Sequence, residues 1–318
     1  MSPLQGVLTM HEGKFRLVTR SDFDGLVCAV LLRELDMIED ITFVHPKDMQ
    51  DGKVAITDRD ITTNLPYVDG AHLVIDHHAS EVERVGSRPN HIIDADAPSA
   101  ARVVYRHFGG KERFPRISDE MMVAVDQADS AQYSRADILA PEKWTLLNFI
   151  MDARTGLGRF RNFRISNYTL MMELIEYCRT HAIEEILDLH DVKERTDLYW
   201  GHQHSFIRQL ESRSRLEGNV VILDLRGQDP IYAGNRFMIY ALFPTATVSV
   251  HLLNGLKNQN TVLAVGKSII NRASQAHIGS LMLEYGGGGH HAAGTCQVDN
   301  DKAEAILATI VGRINAAG

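Results

Sequence analysis

The chain has few cysteines, no excess of basic residues and no long hydrophobic run. Its 318 residues include Cys28, Cys178 and Cys296, which are far apart and odd in number. The sequence therefore predicts neither a disulfide framework nor a cysteine metal site. No run approaches the roughly 18 apolar residues that a membrane helix needs, and residues 1–14 lack the apolar core of a signal peptide. These absences predict a cytoplasmic protein that has no membrane partner.

Acidic residues outnumber basic ones, with 41 Asp and Glu against 33 Lys and Arg, so the net charge is −8 at pH 7. Residues 216–318 hold seven of each kind, so the acidic excess lies in residues 1–215. Neutralisation of phosphates by Lys and Arg supplies most of the affinity for long nucleic acids, and we therefore expect no stable complex with a long strand. A small phosphorylated substrate bridged by a metal ion fits this charge better.

The first half of the chain alternates two kinds of pattern. Short runs rich in β-branched residues alternate with runs of helical periodicity, which predicts a parallel sheet covered by helices. The predicted strands are residues 15–19, 41–44, 54–57 and 73–75, and the predicted helices are residues 25–35, 99–108 and 118–128.

The middle of the chain differs from both halves. Residues 142–217 have little strand signal and many charges, which predicts a helical connector with helices over 171–189 and 192–216. Strand patterns then return, followed by two further helices. These elements are predicted at residues 220–223, 247–252, 261–265, 276–285 and 301–314.

The fold class that these patterns predict is α/β with two domains, in keeping with a prior of roughly 150 residues per domain. A homodimer is compatible with the sequence. The predicted division is an N-terminal parallel-sheet domain over residues 1–160, a helical connector over 161–217, and a smaller C-terminal α/β domain over 218–318.

Two neighbouring aspartates follow the first predicted strand, in Arg20-Ser21-Asp22-Phe23-Asp24-Gly25. They stand where a strand gives way to a helix, which is the usual position for ligands in open α/β sheets. On an extended chain Asp22 and Asp24 would project side by side, and two such carboxylates repel unless a cation or a shared proton intervenes. A turn in which one aspartate caps the helix would explain the same residues.

Three further groups add carboxylates and imidazoles. Asp58 follows the predicted strand 54–57 and would, alone, be a loop residue, whereas the triplet Asp76-His77-His78 ends an apolar strand, a pattern that packing explains poorly. Asp126 and Asp129 share a helical face, although either could be a solvated acid. Such ligands at one sheet edge predict a metal site. Without thiolates, the set suits Mn²⁺, or else Mg²⁺ or another divalent ion.

A glycine-rich run, Gly286–Gly294, lies near the C-terminus and contains four consecutive glycines and two histidines. Glycines let the backbone approach a ligand and turn its N–H groups inward, as in anion nests, although a flexible turn would also be rich in glycine. Asn271 and Arg272 could add a bidentate fork, and Arg272 alone could equally be a surface charge. The predicted phosphate-binding residues are Gly287, Gly288, Gly289, His290, His291, Arg272 and Asn271.

In this order, Asp22-x-Asp24-Gly25, Asp58, Asp76-His77-His78 and the glycine-rich run resemble the DHH phosphoesterase family with its DHH-associated C-terminal domain. The resemblance extends from about residue 15 to residue 300. Members include single-strand exonucleases, enzymes that degrade very short RNAs, cyclic-dinucleotide phosphodiesterases and exopolyphosphatases. The resemblance implies a metal-dependent phosphoesterase that uses a metal-activated water.

The resemblance also implies roles for individual residues. His78 would contact the scissile phosphate, and His290 would hold the terminal phosphate or nucleotide. The catalytic residues that we predict are Asp76, His78 and Arg20. Asp129 is followed four residues later by an aromatic residue, as is frequent in the family, and Asp126 is the alternative. The implied ligands of a metal pair are Asp22, Asp24, Asp58 as the bridge, His77 and one of these two later aspartates.

One residue departs from the family pattern. The family usually has a histidine ligand just before the first pair of aspartates, where this chain has Arg20. A guanidinium stays protonated and cannot ligate a metal, but it could neutralise the aspartates or bind a phosphate. The sequence therefore leaves open whether one or two metal ions bind.

These observations predict hydrolysis of short oligonucleotides or small nucleotides by a metal-activated water. Two alternatives remain at this point. An exopolyphosphatase would need no base recognition, and a non-catalytic sensor of nucleotides or polyphosphate would keep the fold while lacking a metal because of Arg20.

Overall fold

In the computed structural model of the protein, residues 13–318 are described, so the prediction about a signal peptide falls almost entirely outside them. The chain divides into two compact units. The first comprises residues up to Ser130 together with Ile165–Asp188, and the second comprises Ala131–Arg164 and Leu189–Gly318. The domain boundaries at residues 160 and 217 stay predictions.

The first unit contains a five-stranded sheet. Its strands are β1 (Phe15–Arg20), β2 (Ile38–Val44), β3 (Asp60–Thr63), β4 (Leu73–Asp76) and β5 (His91–Ile93). They are all parallel, in the order β2-β1-β3-β4-β5, which confirms the predicted parallel sheet. The order reverses between β1 and β3, and open α/β sheets bind ligands beyond the carboxyl ends of their strands at such a reversal.

Helices cover this sheet, and the first of them is buried in the core of the unit. Numbered along the whole chain, the helices of this unit are α1 (Phe23–Glu34), α2 (Pro46–Gln50), α3 (Ala79–Val85), α4 (Ala100–His107), α5 (Gly110–Arg113), α6 (Asp119–Asp129), α9 (Asn167–Thr180) and α10 (Ile183–Asp188). Every residue from Phe23 to Leu32 is buried, and α1 packs against α4, α6 and α9. A helix that is apolar on all sides belongs in a core.

The second unit contains a six-stranded mixed sheet. Its strands are β6 (Ser214–Glu217), β7 (Val220–Asp224), β8 (Val248–Asn254), β9 (Thr261–Lys267), β10 (Gly288–Gly289) and β11 (Ala293–Val298). Their order is β10-β11-β9-β8-β7-β6, in which β7 and β8 are parallel and the other pairs antiparallel.

Helices also pack on this second sheet. The helices of the second unit are α7 (Arg135–Leu139), α8 (Lys143–Met151), α11 (His190–Arg213), α12 (Met238–Leu242), α13 (Ile278–Leu283) and α14 (Ala303–Ala316). Apolar residues of the sheet share a core with α13 and α14. Short 3₁₀ turns occupy Ala153–Thr155, Leu157–Arg159 and Leu256–Asn258.

The predicted strand over residues 54–57 is wrong, because the third strand of the chain begins only at Asp60. A turn closes just before it, where Asp60 Oδ2 accepts the backbone N–H of Thr57 at 2.7 Å. Arg16 on β1 then binds Asp60 Oδ1 through Nε at 2.7 Å and aligns the two strands. Because the strand begins at Asp60, Asp58 lies before the strand and not after it.

Two long helices predicted for the connector also differ in the structure. The helix predicted over 171–189 is interrupted at His181, whose backbone is extended, so α9 and α10 are separate. The second predicted helix ends at Arg213, and the chain continues into β6. Sequence reasoning missed β6 because Ser-Arg-Leu-Glu has one apolar residue and lies at the exposed edge of the sheet.

None of the helices described in residues 13–318 is both long enough and apolar enough to cross a membrane.

The buried position of α1 predicts a large effect of truncating its side chains. Leu31→Ala, at a residue that is 0% exposed, should lower the free energy of unfolding by about 2–5 kcal/mol because it leaves a cavity. Val123→Ala, at a residue of the same unit that is 64% exposed, should change it by less than about 0.5 kcal/mol. Urea unfolding followed by circular dichroism measures both, and equal effects would contradict the packing described.

Candidate functional site

Asp22 and Asp24 follow β1 but point to different partners. The prediction that they project side by side from an extended chain is wrong, because α1 begins at Phe23. Asp22 is the extended N-cap, and its Oδ1 accepts the N–H of Gly25 at 3.0 Å, as N-cap aspartates do. Asp24 already lies in the first helical turn, where its carboxylate turns into the interior.

The carboxylate of Asp24 is buried, with 2% of the residue exposed. Its two oxygens accept the backbone N–H groups of Ala100 and Ala101, at 3.0 and 2.8 Å. These are the first residues of α4, and the positive end of a helix dipole stabilises an anion there. Sequence reasoning missed this contribution, since a backbone N–H group carries no residue-specific signal.

The predicted triplet lies at the carboxyl end of β4. Asp76 is 0% exposed, and its Oδ1 lies 2.7 Å from Nδ1 of His78. The Nδ1 of His77 donates to the carbonyl of Ala97 at 3.2 Å. A histidine that donates from one ring nitrogen to a carbonyl presents its other nitrogen as a ligand. His77 therefore offers Nε2 to the site, whereas the ring of His78 is about one-third exposed.

The two late aspartates of α6 have different partners. Asp129 Oδ2 lies 2.9 Å from Nε2 of His77. Asp126 instead accepts the hydroxyl of Ser99 at 2.7 Å and the Nε of Arg102 at 2.8 Å. The structure thus brings Asp129, and not Asp126, to the triplet.

Three of these side chains form a tight cluster. One ligand atom each from Asp24, His77 and Asp129 lies within 4.8 Å of the others, and the same holds for Asp76, His77 and His78. Both groups share His77, so the ends of α1, β4 and α6 converge on one place.

The electrostatics of the cluster show a shortage of positive charge. Burial, and next the charge of Asp129, raise the pKa of Asp24 well above its ordinary value. Burial alone would lower the pKa of His77, but its contact with Asp129 and the charge of Asp24 raise it to about 9. A divalent cation would relieve this shortage.

The donor set fits such a cation. Two buried oxygens at this edge, Asp76 Oδ2 and Asn64 Oδ1, have no hydrogen-bond partner among the described residues. Unsatisfied buried polar atoms are costly, and carboxylate and imidazole ligands suit Mn²⁺ or Mg²⁺ better than a soft metal. The residues that would hold the ion are Asp24, His77 and Asp129.

The structure does not place Asp58 in this cluster. Asp58 is exposed and precedes β3, at the amino end of the sheet, whereas the cluster lies at the carboxyl end. The residue that follows β3 at the carboxyl end is Asn64, which sequence reasoning missed. The run Ile61-Thr62-Thr63 before it could have indicated a strand.

Arg20 ends β1, and its Nε lies 2.9 Å from Oδ2 of Asp22. The sequence left two roles open for Arg20, neutralisation of the aspartates and binding of a phosphate. The ion pair with Asp22 corresponds to the first role. The ends of β1 and β3 are joined beside it, since Thr63 Oγ1 donates to Thr19 Oγ1 at 2.8 Å.

In the second unit, the glycine-rich run forms a hairpin. Gly288 and Gly289 pair with β11, and the N–H groups of Gly287 and His290 donate to the carbonyls of Met282 and Ala293. A Cβ at Gly287 would lie 2.0 Å from the carbonyl oxygen of Thr295. The glycines therefore permit close contact between backbones, and those two N–H groups serve the hairpin rather than an anion nest.

A basic group borders this hairpin. Nζ of Lys267 lies 3.3 Å from Nε2 of His291, whose ring contacts that of His277 at 5.0 Å. The charge of Lys267 lowers the pKa of His291. Within the part of the chain that the structure describes, no acidic side chain contacts these three residues.

The predicted fork of Asn271 and Arg272 already has other partners. Arg272 donates to the carbonyls of Ile269 and Ala131, at 3.1 and 2.9 Å. Asn271 Nδ2 donates to the carbonyl of Thr245 at 2.9 Å. These contacts hold the loop, so a phosphate would compete with backbone carbonyls for both side chains.

Comparison with solved structures shows a close relative. The chain is 57% identical to PggH, a pGpG-specific phosphodiesterase from Vibrio cholerae, over 96% of this chain and 100% of that chain, with a TM-score of 0.86.

Two distant structures share the fold alone. RecJ from Thermus thermophilus, solved in complex with Mn²⁺, is 14% identical over 95% of this chain and 52% of that chain, with a TM-score of 0.53. CDC45 from Entamoeba histolytica is 8% identical over 94% and 95% of the two chains, with a TM-score of 0.50. No family profile and no curated protein matches the chain.

The different partners of the two late aspartates predict different effects of amide substitution. Asp129→Asn should weaken Mn²⁺ binding by more than about tenfold, because it removes a charged ligand beside His77. Asp126→Asn should leave the affinity unchanged and lower stability, because Arg102 loses its partner. Titration calorimetry with Mn²⁺ measures both, and loss of binding in Asp126→Asn alone would identify Asp126 as the ligand.

The raised pKa of His77 predicts that metal binding depends on pH. Below about 9 the ring is protonated in the metal-free protein, and a cation must displace that proton. The affinity for Mg²⁺ should therefore rise from pH 6 to pH 8, with release of a proton that calorimetry in buffers of different ionisation enthalpy detects. An affinity independent of pH over this range would exclude His77 as a ligand.

Proposed function

The chain belongs to the DHH phosphoesterase family and is a divalent-metal-dependent hydrolase, and from this premise we propose that it hydrolyses pGpG, a linear dinucleotide with a 5′-phosphate. The observation that carries the proposal is 57% identity, over 96% of this chain, to a pGpG-specific phosphodiesterase. A small substrate also agrees with the net charge of −8, which disfavours binding of long strands.

We propose that Asp24, His77 and Asp129 hold Mn²⁺, with Asp76 beside them. Their ligand atoms lie close together, and they combine carboxylate with imidazole. When bound, a divalent cation lowers the pKa of a water and neutralises charge that develops on the phosphate. The N–H groups of Ala100 and Ala101 keep the carboxylate of Asp24 in position for this role.

In the proposed reaction, a water adds to the bridging phosphorus and the P–O3′ bond breaks, so the departing 3′ oxygen needs a proton. His78 is suited to supply it. Its Nδ1 lies 2.7 Å from the buried carboxylate of Asp76, which orients the ring. The ring is about one-third exposed, so its Nε2 can reach a substrate. The products are two 5′-mononucleotides.

In the second unit, we propose a surface that binds phosphate. Lys267, His277 and His291 cluster beside the glycine hairpin without an acidic partner among residues 13–318. The charge of Lys267 would attract a phosphate here, and the two imidazoles could hydrogen-bond to its oxygens. We propose that His290 and the glycines of the hairpin also bind substrate, since the glycines let a ligand approach the hairpin backbone.

The test is turnover by the purified full chain in Mn²⁺, with and without chelator, on pGpG, a cyclic dinucleotide and tripolyphosphate. We expect hydrolysis of pGpG to mononucleotides, lost with chelator and absent for the other two compounds. Hydrolysis of tripolyphosphate alone would overturn the proposal in favour of a polyphosphatase. Thermal stabilisation by pGpG without turnover would overturn it in favour of a sensor.

Two histidine variants show whether the turnover arises at this site. His78→Ala should lower kcat by roughly 100-fold or more, as loss of a general acid does, while Mn²⁺ binding persists. His107→Ala, at the end of α4 and outside the cluster, is the matched control and should keep full turnover. Equal activity in the two variants would remove His78 from the mechanism.

A further inference from the structure

We propose that the protein binds one divalent cation per chain, and that Arg20, Asp22 and Asn64 form a cation-free arrangement where a second ion would otherwise bind. The inference rests on the proposed function, since it concerns the same sheet edge. It goes further by assigning a metal count and a role to Asn64, which follows β3.

The carboxylate of Asp22 already has donors on both oxygens. Arg20 Nε lies 2.9 Å from Oδ2, and Oδ1 accepts the N–H of Gly25 at 3.0 Å and the Nδ2 of Asn64 at 3.1 Å. The guanidinium is permanently charged and so neutralises Asp22 at any working pH. A cation on Asp22 would have to displace Arg20 or lie close to its like charge.

Asn64 brings a neutral side chain to this position. It is 1% exposed, and the amide is oriented by its hydrogen bond to Asp22, because the reverse orientation would place Oδ1 against a carboxylate oxygen. An amide adds no negative charge, so Asp22 is the one carboxylate of this group. With Arg20 paired to it, the group has no net charge to attract a divalent ion.

The cluster of Asp24, His77 and Asp129 differs in its charged groups. It holds two carboxylates and an imidazole, with no Lys or Arg contact to any of the three among the described residues. Asp24 is 2% exposed, and its carboxylate accepts backbone N–H groups rather than hydrogen bonds from a cationic side chain. Two groups therefore lie at this sheet edge. A divalent cation would stabilise the group of Asp24, His77 and Asp129, whereas the group of Arg20, Asp22 and Asn64 already includes the permanent charge of Arg20.

The argument predicts which substitutions create a second site. Asn64→Asp would place a carboxylate 3.1 Å from that of Asp22, and this repulsion would favour a cation. Arg20→His would remove the permanent charge and supply a possible imidazole ligand. The double variant should therefore bind two Mn²⁺ ions per chain.

The experiment counts Mn²⁺ bound to the full chain, without substrate, by equilibrium dialysis with elemental analysis. Wild type should bind one ion per chain, and R20H/N64D should bind two. Arg106→His is the matched control, since Arg106 pairs with Asp94 elsewhere in the same unit, and it should bind one. Electron paramagnetic resonance adds a second readout: resolved hyperfine lines for an isolated ion, and a spin-coupled spectrum for a close pair.

The number of bound Mn²⁺ ions tests this proposal independently of whether the protein hydrolyses pGpG. Two ions per chain with a spin-coupled spectrum in wild type would overturn it, whether or not pGpG is hydrolysed. No bound Mn²⁺ in wild type would also overturn it. One ion in wild type without pGpG hydrolysis would support the metal count and contradict the proposed function. If circular dichroism shows that the double variant does not fold, the wild-type count and spectrum decide.

Discussion

The buried carboxylate of Asp24 is the constraint on which the first unit depends. It lies in the first turn of α1, accepts two N–H groups from the start of α4, and meets Asp129 at the end of α6. A charge so deeply buried is costly unless it is compensated. The dipole of α4 and the imidazole of His77 offset part of this charge, and a bound cation would offset more of it.

Charge compensation takes two forms at one sheet edge. Asp22 is paired with the permanently charged Arg20, whereas Asp129 is paired with the imidazole of His77, which can lose its proton. The pair of Asp22 and Arg20 is therefore stable without a metal ion, whereas a metal ion would stabilise the group of Asp24, His77 and Asp129. His78, held by Asp76, stands beside the second group and is exposed enough to meet a substrate.

Much of this could be predicted from the sequence. The family and the parallel sheet are confirmed, because the Asp-His-His triplet and the glycine-rich run are unusual and lie far apart in a fixed order. Asp58 was misplaced for a local reason: the apolar run 54–57 resembles a strand, whereas β3 begins with Asp60 and contains two threonines. Because three of the four residues of β3 are polar, the sequence pattern does not predict the strand that precedes Asn64.

What the sequence by itself determined is the inventory: which side chains can ligate, which can move a proton, and that they follow strand and helix ends in an α/β chain. What only the tertiary structure decided is which of them meet. Asp126 and Asp129 are three residues apart on one helix, yet one pairs with Arg102 and the other with His77. Contacts between residues distant in the chain depend on packing and strand order, and a linear pattern does not encode these as neighbours.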